Sequence, residues 1–183
     1  IAAFQKENPL VSFRIYSGNS DNIKERIQRG LLDIGLLQEP VDIAKYNFVR
    51  TPVHEQWGVL VRADSELAAR DFVSPADLAD VPLILPDREN VQNELLNWFG
   101  PHAEELRITA TGNLLYNLAF LARESGGCVL TLNLACHYEG LRFIPLAPEL
   151  KSGTVLVWKK AQTFSPAAAA FIAYSKKYIS GIL

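Results

Sequence analysis

Between Phe13 and Leu36 the chain switches from an extended run to a helix and back to an extended run, and nothing else in it limits the available folds so sharply. Phe13-Arg14-Ile15-Tyr16 reads as a strand that breaks at Gly18. After it, Asn19 or Ser20 caps a helix that carries Ile23 and Ile27 one turn apart. Gly30 ends that helix, and Leu31-Leu32-Asp33-Ile34-Gly35-Leu36 starts a second strand. A strand, a turn of small polar residues and a helix start together present unpaired backbone N–H groups, hydroxyls and the positive end of a helix dipole. Ser17, Gly18, Asn19 and Ser20 are therefore a candidate binding turn for a small polar or anionic ligand. The same residues also suit a plain capped helix in a parallel sheet.

The alternation continues along the chain and predicts an α/β fold with a parallel sheet. Helices are expected at 1–8, 20–29, 91–99 and 114–124, the last capped by Asn113, and a further helix follows Ser165-Pro166. Strands are expected near 11–16, 32–37, 47–51, 56–63, 81–86, 106–111, 128–132, 141–146 and 153–159. Ser74-Pro75-Ala76-Asp77 has the serine, proline and carboxylate spacing of a helix start. The 114–124 segment is apolar nearly all round, which calls for cover on several sides.

With 183 residues, of which 49% are hydrophobic, the chain can bury one large core or two small ones. Its net charge is -2, with both signs interspersed, which leaves no electrostatic footprint for nucleic acid. No apolar run reaches the ~20 residues of a membrane span, and no secretion signal opens the chain. Ile1-Ala2-Ala3-Phe4 reads as the middle of a helix, so a fragment of something longer is expected. Cys128 and Cys136 have no CxxC spacing; buried inert thiols or a redox pair are the two readings.

Catalytic constellations are not found. His54, His102 and His137 lack the HExxH spacing of a metal site, and there is no G-x-S-x-G elbow, P-loop or dinucleotide fingerprint. A non-enzymatic protein with no metal and no cofactor is the expectation.

Five stretches together point to a family. The helix Ala2-Ala3-Phe4-Gln5-Lys6-Glu7-Asn8-Pro9 leads into Arg14-Ile15-Tyr16-Ser17-Gly18-Asn19-Ser20, and then comes Arg29-Gly30-Leu31-Leu32-Asp33-Ile34-Gly35-Leu36. Ser74-Pro75-Ala76-Asp77-Leu78 and Glu124-Ser125-Gly126-Gly127-Cys128-Val129 follow at matching places. Taken in order, these elements resemble the effector-binding domain of LysR-type transcriptional regulators. The resemblance implies two Rossmann-like lobes of the type 2 periplasmic-binding-protein kind, joined by two crossing strands near 58–62 and 154–158. Residues 1–62 plus 159–183 would form lobe one and 63–158 lobe two. It implies a small polar or anionic effector held between lobes by Ser17, Gly18, Asn19 and Ser20 with Pro86, Asp87 and Arg88, bordered by Asn113 and Cys128. Arg88 is alternatively a solvated surface residue. The resemblance further implies a cytoplasmic homodimer in which the first helix packs on the 114–124 helix of a second copy. A tetramer is implied for the full-length regulator, with DNA bound through an N-terminal helix-turn-helix. A periplasmic solute-binding protein of a transporter is the alternative with the same fold.

Overall fold

The computed structural model describes residues 1–182. The chain divides into two compact units, one made of Ile1–Val53 with Gly153–Leu183 and the other of His54–Ser152. The expected divisions at 62 and 159 thus lie further along the chain than those of the structure. Two strands, β2 (Tyr46–Arg62) and β7 (Lys151–Lys159), carry the chain from one unit to the other. The stretches expected to cross, near 58–62 and 154–158, belong to these two strands, and the passages between units fall at Val53–His54 and Ser152–Gly153. Gly58–Arg62 lie on partners within the second unit, and Thr154–Val157 lie on β1 within the first.

In the first unit, α2 (Ser20–Gln28) places Ile23 and Ile27 on the face that meets Leu37, Tyr46, Val155 and Val157. The strand β1 (Gly35–Gln38) pairs antiparallel with β7, Gly35 opposite Val157. Glycine lets the helix lie close to the strand there: a Cβ at Gly35 would come 2.7 Å from Ile23 Cγ2 and 2.9 Å from Ile27 Cδ1 and would force those side chains to move. The short α1 (Ala2–Glu7) and the long α6 (Pro166–Ile182) meet through aromatic rings, Phe4 standing edge-on to Phe171 and Tyr174 at 5.2 and 5.3 Å.

The run expected as a strand at 11–16 is not one. Its residues have extended-run composition but no ladder partner among the described residues, and a strand needs neighbours to satisfy its backbone groups. The run is held instead by Phe13, whose ring lies 4.9 Å from that of Phe171.

In the second unit the strands stand in the order β4 (Ile108–Gly112), β3 (Leu83–Pro86), β5 (Cys128–Leu132) and the second half of β2, with β6 (Leu141–Pro145) also on β2. The sheet is mixed rather than parallel. β3 runs parallel to β4 and β5, whereas β2 runs antiparallel to β5 and β6. The two runs expected at 47–51 and 56–63 are one strand, continuous through Thr51–Gln56.

Both faces of this sheet are covered, so the strands read as unbroken apolar runs. Val59, Leu83, Leu85 and Leu130 point to the cluster of Leu95 and Phe99 from α4 (Glu89–Phe99). Their neighbours Leu60, Ile84 and Val129 point the other way, to Leu118, Ala119 and Ala122 of α5 (Leu115–Ser125). α5 stops at Gly126, whose φ of 71° is the left-handed cap that glycine adopts freely. The short α3 (Pro75–Leu78) starts where Ser74 and Asp77 predict, with Ser74 N–H and Oγ both donating to Asp77 Oδ2 at 2.8 and 2.6 Å.

Candidate functional site

The nine residues singled out from the sequence fall into one group in the first unit, one in the second, and one outlier. In the first unit, Asn19 takes the cap position of α2 with φ -70° and ψ 166°, and its Oδ1 accepts the Asn22 N–H at 2.9 Å. Ser20 is the first helical residue and is 6% exposed. Ser17 and Gly18 are exposed just ahead of it. The turn thus exists without the strand that was expected to lead into it.

In the second unit, β3 and β4 are parallel and, past a one-residue shift between Leu83 and Ile84, end side by side with Pro86 opposite Gly112. Asp87 N–H donates to Gly112 O at 3.0 Å, which joins the two turns that leave the sheet. From this edge rise both α4, whose cap position is Arg88, and α5, whose cap position is Leu114. Asn113 is a correction: it lies one residue ahead of the cap position and is exposed, while apolar Leu114 occupies the cap with no side-chain bond. Neither helix start is satisfied by a capping side chain, so each keeps its N-terminal N–H groups and dipole directed out of the sheet edge.

Arg88 is half-buried and its Nε is enclosed, as is Glu94 Oε2 farther along the same helix. It is therefore not the fully solvated arginine of the alternative reading. Its backbone carbonyl receives the N–H groups of Val91 and Gln92 at 3.0 and 2.9 Å. Gln92 was not foreseen; its side-chain amide donates to Pro86 O at 2.8 Å and fixes the turn between β3 and α4. Only its place one turn into the helix could have signalled this.

Cys128 is the outlier. It begins β5 opposite Leu83, at the other end of the strands from Pro86, about 10 Å away at roughly 3.3 Å per residue. It is 1% exposed and packs in the core, and burial pushes its thiol far up from the ordinary range. The residue that the parallel register carries toward the Pro86 end is Thr131, 7% exposed. Cys136 is exposed, and its Sγ is directed to Leu134 O.

Among the described residues no group of three or more His, Cys, Asp and Glu side chains could hold a metal ion. None of their helices is long and apolar enough to cross a membrane. The arrangement offers hydroxyls, amides, helix starts and one arginine, which is the chemistry of holding a polar or negatively charged molecule.

The sequence profile of the LysR substrate binding domain matches residues 1–180. Among solved structures, HinK, a LysR family transcriptional regulator from Pseudomonas aeruginosa, superposes with a TM-score of 0.77 at 21% identity; the match covers 98% of this chain and 64% of HinK. The C-terminal domain of a probable LysR family regulator from Rhodococcus sp. RHA1 gives 0.74 at 24% identity, covering 94% of this chain and 88% of that one. The regulatory domain of CcmR from Synechocystis PCC6803, solved in complex with 2-PG, gives 0.77 at 15% identity, covering 97% and 88%. At these identities the likeness is one of fold.

Proposed function

We propose, for a chain that belongs to the LysR substrate binding domain family, that it senses a small polar or anionic effector on behalf of a transcriptional regulator. The carrying observation is the shared edge of β3 and β4. Two uncapped helix starts and the half-buried Arg88 converge there on one spot of the second unit. Pro86, Asp87, Arg88, Asn113 and Thr131 are the ligand-facing set of that unit, and Ser17, Gly18, Asn19 and Ser20 are the set of the first. Cys128 serves packing.

The domain binds its effector without transforming it, and it works in the cytoplasm. DNA is bound by a helix-turn-helix elsewhere in the full-length regulator. A transporter's solute-binding protein is not favoured, because the family profile runs through both units. The regulator is a homodimer that forms tetramers at full length. The support for the dimer is α5 with its cap residue Leu114, where Leu114, Tyr116 and Phe120 are more than half exposed beside the buried face.

Calorimetric titration with 2-PG and with sulfate tests the reading. Arg88→Ala should weaken the better-bound probe about tenfold, the scale of a hydrogen bond to a charged group, and Asn19→Ala should weaken it less. Equal affinity in wild type and both variants would sink the assignment.

A further inference from the structure

The turn at Ser17–Asn19 follows a run without ladder hydrogen bonds among the described residues, yet Asn19 caps α2 from a defined position. Something other than a sheet must hold it. The ring of Tyr16 lies against Arg26 of α2, with the guanidinium carbon 3.9 Å from the ring centroid. Gly18 fits between this ring and the helix: a Cβ on it would stand 3.2 Å from Tyr16 Cε1 and 3.3 Å from Asn22 Cβ. Asn22 and Arg26 are four residues apart and so share one face of α2, along which the ring lies.

We propose that Tyr16 and Arg26 are positioning residues, a cation–π strap that binds the Ser17–Asn19 turn to the side of α2 and presents its hydroxyl and N–H groups in one geometry. The strap rests on the preceding reading of the turn as ligand-facing. It adds the reason a turn with no sheet behind it is already ordered when the ligand arrives, since the entropy of ordering it is then lost on folding and not on binding. Arg26 is half-buried and Tyr16 is 39% exposed, so the contact is a surface one that orders the turn locally while adding little to global stability.

Amide hydrogen exchange followed by NMR tests this without any ligand. In Arg26→Met, which keeps the stem and loses the charge, and in Tyr16→Leu, exchange at the Asn22 N–H should quicken about two- to fivefold. Tyr16→Phe keeps the ring and should exchange as wild type does, and all three should melt within a degree or two of it. Sulfate and 2-PG affinities should fall in the same order as exchange rises. Unchanged exchange in both disrupting variants overturns the strap, as does a Tyr16→Phe variant that exchanges as fast as Tyr16→Leu. If neither probe binds wild type but the exchange pattern holds, the ligand reading of the turn fails and the strap stands. If wild type binds and every variant binds equally well, the positioning role is overturned.

Discussion

Trp57 and Ser152 are each 3% exposed, and the indole N–H donates to the serine hydroxyl at 2.7 Å. Deleting one partner strands the other out of reach of water. Trp57→Phe and Ser152→Ala should therefore each destabilise by about 1–3 kcal/mol in urea unfolding, the usual penalty for a buried polar group left unmet. The double variant should cost less than the sum of the two, because no stranded group remains. The two cysteines make a sharper contrast. Cys128 is buried and its thiol raised far above its ordinary value, while Cys136 is exposed. Titration with a disulfide reagent at pH 8 should count one reactive thiol in the native protein and two after unfolding. Two thiols reacting at similar speed in the folded state would contradict the burial of Cys128.

Among the elements, α3 depends on its first residues, since a helix of one turn has little else. The Ser74 hydroxyl and N–H, with Arg70 beside them, hold the Asp77 carboxylate below its ordinary value. A depressed carboxylate stabilises the fold above its unfolded value, and that contribution fades as the pH falls through the folded one. Asp77→Asn should thus cost about 1 kcal/mol at neutral pH, and the gap from wild type should narrow in unfolding experiments run below about pH 4. On α5, Leu118 packs into its own unit at 9% exposure, so a charge there would damage the fold. Phe120, 53% exposed, is the residue that tests self-association. Phe120→Glu should raise the dissociation constant of the proposed dimer tenfold or more in sedimentation while the far-UV spectrum stays unchanged. α2, α4 and α5 were legible in the sequence because a helix closes its hydrogen bonds within itself, and the apolar spacing of Ile23 with Ile27 and of Val91 with Leu95 declares the buried face. Strands depend on distant partners, which is why the sequence alone reads 11–16 as a strand and β2 as two. The local structure of the proposed site is legible where it follows local chemistry, at the Asn19 cap and at the β3–α4 turn. It was not legible at Cys128, whose place depends on a parallel register with Leu83.

At the scale of the whole molecule, the balance of 18 basic and 20 acidic residues gives the chain no attraction for a phosphate backbone. This chain alone should not retard a DNA duplex in a gel shift at 100 mM salt, and salt-dependent retardation would contradict that. The division of the units carries another consequence. The second unit is one unbroken stretch, His54–Ser152, and all the buried residues of its two apolar clusters lie inside it. The first unit includes residues 1–53, yet Val155 and Val157 of its core come from much later in the sequence, and among the described residues β7 is the only neighbour of β1 in the sheet. A ribosome building this protein therefore delivers the two units in an order opposite to their start points. Residues 1–53 emerge, stay unfinished while the inserted stretch folds behind them, and close only when β7 follows.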